Sequence, residues 1–237
     1  MTNSSPPTSG TPPDQLLSGD ELRDHIFATY ANLRFGMGVI AIAFPFILVL
    51  GGLALASTPP QGSMSAYYHT PMRNAFVGIL FALGPFLYLY KGFACRENIA
   101  LNIAGASAIG VAIFPMDIPD TMDCPTFTFG YGHGVCALLF FACIAYVCSF
   151  HATDTLRFIT DEKARARYRF AYRWLGRAMF ILPFASAVMI WLVQLHVDPG
   201  KRLIVLGVEC AAVWVFSAYW LLKGWEIRRS QIDRTLF

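Results

Sequence analysis

Long apolar runs alternate with short polar ones along the whole chain. Six runs of about 17 to 23 residues are each long enough to cross a hydrocarbon core of about 30 Å: Phe35–Ser57, Asn74–Tyr90, Ile99–Met116, Tyr131–Phe150, Ala178–Val197 and Leu203–Leu222. Within them Glu209 is the only Asp, Glu, Lys or Arg, and His133 stands near one end of its run. Buried helices of a large soluble protein are also apolar, but six of them in 237 residues would leave almost no polar exterior. With 56% hydrophobic and only 14% charged residues, the composition is that of a membrane protein. The expected fold is all-α, a bundle of six transmembrane helices.

The polar segments complete the expected layout. Residues 1–17, rich in Ser, Thr and Pro, lack the basic start and apolar core of a cleavable signal peptide and read as a disordered tail. Ser18 and Glu21 have capping-box spacing and predict a helix over 18–34, with Leu22, Ile26, Phe27, Tyr30 and Leu33 on one side, lying along the membrane surface before span one. Residues 35–224 then form the transmembrane domain, and residues 225–237 a second tail. Fifteen Lys and Arg residues fall on the side of the two termini and only Arg73, Lys201 and Arg202 on the other. Basic residues are retained in the cytoplasm, so both termini are expected there, in a multi-pass protein of the plasma or inner membrane. Topology accounts for the net charge of +3, and no zinc finger, phosphate loop or dinucleotide fingerprint suggests nucleic acid or nucleotide as a partner. The expected partners are membrane lipids.

Span three carries small residues at Ala104, Ala108 and Ala112, with Gly105 and Ser107 between them, a spacing that lets backbones approach closely and predicts a central helix. Spans two and six end alike, in Tyr90-Lys91-Gly92 and Leu222-Lys223-Gly224, read as a snorkelling Lys and a glycine cap. Arg165, Arg169, Arg173 and Arg177 recur every four residues beside Tyr168, Tyr172 and Trp174. They form a basic stripe that suits anionic headgroups, or a plain topological anchor. The six cysteines show no CxxC spacing, and only Cys124 and Cys136 are placed to meet on the outer side.

In this topology spans two, four and six begin at the outer face. Glu209 lies six residues past Leu203, about 9 Å into its helix, and helical side chains lean toward the N-terminus, here outward. A carboxylate in hydrocarbon costs about 2.5–3.5 kcal/mol on insertion scales, so it is expected to face the bundle interior and find a partner, with Arg73 and His133 the candidates. Ser63, Ser65, Tyr67, Tyr68, His69 and Asn74 come to the same level from the segment before span two. Asp117, Asp120 and Asp123 lie in the next outer loop, and His196 ends span five. The expected ligand pocket consists of Ser65, Tyr67, Arg73, His133 and Glu209. Arg73 would clamp an anionic group, Glu209 would be its charge partner, and His133 would tune both.

The stretch from Ser63 to Pro115 resembles a group of bacterial polytopic membrane proteins of no established activity. The resemblance rests on Ser63, Ser65, Ala66, Tyr67 and Tyr68, then on Arg73, Phe76, Val77 and Gly78. It continues through Tyr90, Lys91 and Gly92, then Asn102, Ala104 and Gly105, and ends with Phe114 and Pro115. It implies about six helices; Asn74 stands where that group has Asp. A more distant resemblance is to ceramidase-like membrane hydrolases, which implies zinc-related roles at Ser65, Asp117 and His133, although this chain has Glu209 where those enzymes carry two His residues. Two imidazoles and a carboxylate, His69, His133 and Glu209, would leave one zinc position open for water. Three functions therefore stand as expectations. The first is an outward-facing polar pocket binding or moving a small polar or lipid headgroup ligand, the second a zinc-dependent hydrolase of a lipid or amide bond, and the third a non-catalytic component of a membrane assembly.

Overall fold

A computed structural model describes residues 18–116, 130–195 and 199–230. The tail over 1–17, the loop aspartates Asp117, Asp120 and Asp123, Cys124, His196 and the segment 231–237 lie outside the described residues. The fold is all-helical, with no strand among the described residues. Its long helices are α1 (Gly19–Ala56), α2 (Arg73–Leu89), α3 (Cys95–Ile113), α4 (Gly130–Tyr146), α5 (Glu162–Leu195) and α6 (Pro199–Ser230). A 3₁₀ turn, Ser65–His69, precedes α2, and a π turn, Val147–His151, with a second 3₁₀ turn, Asp154–Phe158, follows α4. Each helix packs on its neighbours in sequence and α6 closes the ring on α1.

Among the described residues, three segments are long and apolar enough to cross a membrane: Ala28–Ala56, Gly132–Phe158 and Leu203–Arg228. The outer face of α1 suits lipid, because Phe35, Val39, Ile42, Phe46, Leu50 and Leu53, spaced three or four residues apart, are all exposed. Such a stripe would be an aggregation surface in water.

The capping box forms as expected: Glu21 N donates to Ser18 Oγ at 3.3 Å and Ser18 N to Glu21 Oε2 at 2.8 Å. These bonds, the Ser18 backbone contact first, hold the exposed Glu21 carboxyl below its ordinary pKa. The expected separate surface helix over 18–34 is not separate. It runs unbroken into span one: no Pro interrupts the chain between Tyr30 and Met37, neither Asn32 nor Gly36 caps a helix end there, and the backbone bonds propagate. The helix stops at Ser57, whose φ of 46° is left-handed and whose N–H bonds to Gly52 O.

Close approaches decide the packing of α2 on α3 and of α6 on α1. A Cβ on Gly105 would lie 2.6 Å from Gly84 O, and one on Gly38 would lie 2.6 Å from Leu221 Cγ. Next to Gly38, Ser217 Oγ donates to the Gly38 carbonyl at 2.7 Å. Ala104, Ala108 and Ala112 are buried within the chain, as the small-residue pattern predicts. Behind them an aromatic layer fills the bundle: Trp220 is fully buried, with ring centroids 5.0 Å from Tyr90, 5.3 Å from Tyr219 and 6.2 Å from Phe216.

The two Lys-Gly exits differ. Lys91 is exposed, over the Tyr88 ring at 5.9 Å, as a snorkelling residue should be. Lys223 is buried, and its expected snorkelling is overturned by an acid one turn on. Nζ donates to Glu226 Oε2 at 3.0 Å, to Ala152 O at 2.8 Å and to Thr155 Oγ1 at 2.6 Å. Glu226 also accepts from Thr155 Oγ1 and from the Tyr172 hydroxyl, both at 2.5 Å. This network ties α6 to α5 and to the turns after α4. Neither glycine caps a helix: α2 ends before Gly92, whose N–H instead donates to Asn98 Oδ1 at 2.6 Å, and Gly224 lies inside α6. The basic stripe is divided as well. Arg165 donates to Ile159 O and Tyr172 turns into the core, which leaves Arg169, Arg173 and Arg177 exposed.

Candidate functional site

The segment between α1 and α2 is polar and short, and it folds over one end of the bundle as the turn Ser65–His69. Ser63 starts that turn by accepting from Ala66 N at 3.1 Å. Tethers from the other helices fix its position. His69 Nε2 reaches Met116 O, beyond the end of α3, at 2.8 Å. From the first turn of α4, His133 Nε2 contacts Ser65 Oγ at 2.9 Å, while Nδ1 contacts Phe114 O at 2.7 Å. From the N-terminal half of α6, Glu209 Oε2 accepts from Met64 N at 2.6 Å, and Oε1 accepts from Ser186 Oγ of α5 at 3.3 Å. The turn before α2, the end of α3, the start of α4 and the N-terminal half of α6 therefore meet at one end of the ring, opposite the Lys223–Glu226 network.

Behind these contacts lies a cavity of about 410 Å³. Ser63, Ser65, His133, Ser186 and Glu209 form its polar part. The remaining wall is apolar and comes from every helix, with Phe44, Leu80, Val111, Phe140, Pro183 and Phe216 among its residues. Gly134 and Leu138 of α4 and Ala187 of α5 also line it and are exposed, so among the described residues the cavity is reached between those two helices.

Of the five expected pocket residues, the structure brings Ser65, His133 and Glu209 to this cavity, and Tyr67 and Arg73 do not line it. Tyr67 is fully buried in the neighbouring apolar cluster, and its hydroxyl accepts from Gln61 N at 3.4 Å. Arg73 is exposed; Nη2 donates to the Tyr68 hydroxyl at 2.6 Å and its guanidinium lies 4.4 Å from that ring's centre. A planar cation has both a hydroxyl and an aromatic face five residues away, so it is held locally rather than by Glu209. The carboxylate instead takes a backbone N–H and a serine hydroxyl. Met64, Phe114 and Ser186 escaped the sequence reading. Two of them act through backbone atoms, which no side-chain pattern reveals, while Ser186, a hydroxyl inside an apolar run and three residues past Pro183, carried a faint signal.

Among the described residues, no group of three His, Cys, Asp or Glu could hold a metal ion. His69, His133 and Glu209, the alternative zinc set, do not form such a group: His69 contacts Met116 O, His133 contacts Phe114 O and Ser65 Oγ, and Glu209 faces Met64 and Ser186. Cys136 is a free thiol. No family model, curated protein or solved structure matches this chain.

Proposed function

We propose that the chain crosses the bilayer six times with both termini cytoplasmic, and that its cavity binds a lipid or another small amphiphile from the outer half of the membrane. α2 has 17 residues, about 25 Å of helix, and α3 has 19, about 28 Å, so with local thinning each is close to a full crossing. α5, at 34 residues, is long enough to cross and still carry its basic first turns outside the core. The distribution of Lys and Arg, fifteen on the side of the termini against three, supports that orientation.

The observation that carries the ligand reading is the division of a single cavity into an apolar wall and a polar end built from Ser65, His133 and Glu209. A purely polar solute would leave the phenylalanine and leucine wall unfilled, and a hydrocarbon would bring the carboxylate no donor beyond Met64 N and Ser186 Oγ. An amphiphile satisfies both, with its hydroxyl or amine donating to Glu209 and its chain along the wall. Access between α4 and α5 faces the lipid in this topology, which suits a ligand already dissolved in the bilayer.

Native mass spectrometry of the purified chain is expected to show one retained phospholipid. Glu209→Gln removes the charge and keeps an oxygen for Met64 N, and should weaken retention about tenfold or more, since a hydrogen bond to a charged group is worth about 1.5–3 kcal/mol. Val213 also lines the apolar wall, and Val213→Trp, which fills it, should expel the lipid's acyl chain outright. Equal retention by the parent and both variants would refute the pocket.

A further inference from the structure

Of the contacts at the polar end of the cavity, the one between Ser65 and His133 has a definite direction. A carbonyl oxygen only accepts, so the 2.7 Å contact with Phe114 O puts the ring proton on Nδ1. In the neutral imidazole Nε2 is then an acceptor, and the Ser65 hydroxyl at 2.9 Å donates to it. A serine hydroxyl aimed at a base, with that base's ring oriented by a third group on its far side, is the constellation that activates serine nucleophiles. Both side chains line the cavity; Ser65 is half-buried on its turn and His133 is 8% exposed. A cap for the Ser65–His69 turn is already supplied by Ser63, so the turn does not need the Ser65 hydroxyl.

We propose that Ser65 is a nucleophile and His133 its general base, acting on the carboxylic ester of a long-chain acyl lipid held in the cavity. The inference rests on the lipid-binding reading above. Ser65 Oγ forms a bond to the ester carbonyl carbon while its proton passes to His133 Nε2. The bond from that carbon to the alcohol oxygen then breaks, and Nε2 returns the proton to the departing alcohol. Water attacks the acyl-serine ester and gives a proton to Nε2. The fatty acid leaves, and the proton goes back to Ser65 Oγ. The sum is ester hydrolysis, with water as the only co-reactant and no change of oxidation state. Phe114, through its carbonyl, is a positioning residue that fixes the imidazole tautomer.

A long-chain alkyl fluorophosphonate tests this directly, because an activated serine oxygen displaces fluoride from phosphorus and keeps the adduct. The full chain in a detergent without ester bonds, treated with the probe and mapped by peptide mass spectrometry, is expected to carry the adduct on Ser65. Labelling should vanish in Ser65→Ala and slow about a hundredfold or more in His133→Ala, the usual contribution of a general base. Melting temperatures of the variants establish that they are folded, and mapping of the unaltered chain needs no variant. An unlabelled Ser65 in folded parent protein, or a His133→Ala variant labelled at the parent rate, would overturn the assignment. Phospholipid retained by an unreactive chain would overturn the nucleophile alone, whereas loss of both signals would also remove the lipid reading.

Discussion

Lys223→Met should destabilise the folded chain by about 3–5 kcal/mol, the cost of leaving one member of a buried ion pair without the other. Lys223 is 1% exposed and Glu226 is fully buried, so neither charge is screened by water. Removing the ammonium strips a donor from Ala152 O and from Thr155, and leaves the Glu226 carboxylate, among the described residues, with the Thr155 and Tyr172 hydroxyls. Those two neutral donors do not replace a countercharge. The double variant Lys223→Met, Glu226→Leu removes both charges and should regain much of the loss, because an apolar pair of similar volume often matches a buried ion pair. Thermal unfolding in one fixed detergent measures both chains. If the single variant melted with the parent, the network would be ornamental, and α6 would be held to α5 by its aromatic layer alone.

That network also shows where side-chain pattern stops being informative. Lys223 and Lys91 stand in nearly identical sequence surroundings, each after a Tyr- or Trp-bearing helix end and before a Gly. What separates them is Glu226, one turn further along a helix that does not stop where the apolar run stops. Helix ends follow backbone hydrogen bonding, whereas apolar runs follow solvent, so α1 and α6 continue past both expected boundaries. The all-helical character and the small-residue seam of α3 were legible because each is a periodic property of side chains. The site was legible in part for the same reason. An acid alone in an apolar run has to turn inward, and Glu209 does. Its partners were not legible: opposite charge pointed to Arg73, but the donors are a backbone N–H brought in by a tight turn and a hydroxyl from another helix. Ser65 and His133 were both picked out by their residue types. Their contact depends on how the turn before α2 sits over the first turn of α4, 68 positions apart in the chain.

Gly105→Ala is expected to be the most damaging glycine substitution at the α2–α3 seam, at or beyond the roughly 1–3 kcal/mol usual for overpacking, because the obstacle is backbone. A Cβ there would sit 2.6 Å from Gly84 O and 3.2 Å from Tyr88 N, and no rotamer change can move either atom. Gly84 differs in kind. Its Cβ would meet Ile109 Cγ1 at 2.6 Å as well as Gly105 O at 2.9 Å, so Ile109→Ala should rescue part of the loss in Gly84→Ala and none of that in Gly105→Ala. Gly78, in the same helix α2 with nothing within 4 Å of an added methyl, serves as the control, and Gly78→Ala should be neutral or slightly stabilising. Unfolding midpoints in detergent rank these variants; a Gly105→Ala chain as stable as Gly78→Ala would mean that α2 and α3 do not touch as closely as described. The consequence reaches the cavity, since Leu80 and Leu83 on one side of this seam and Ala108 and Val111 on the other all line it. Forcing the two helices apart should therefore loosen phospholipid retention even in Gly105→Ala protein that still folds, which links the packing of the most crowded helix pair to the ligand the cavity is proposed to hold.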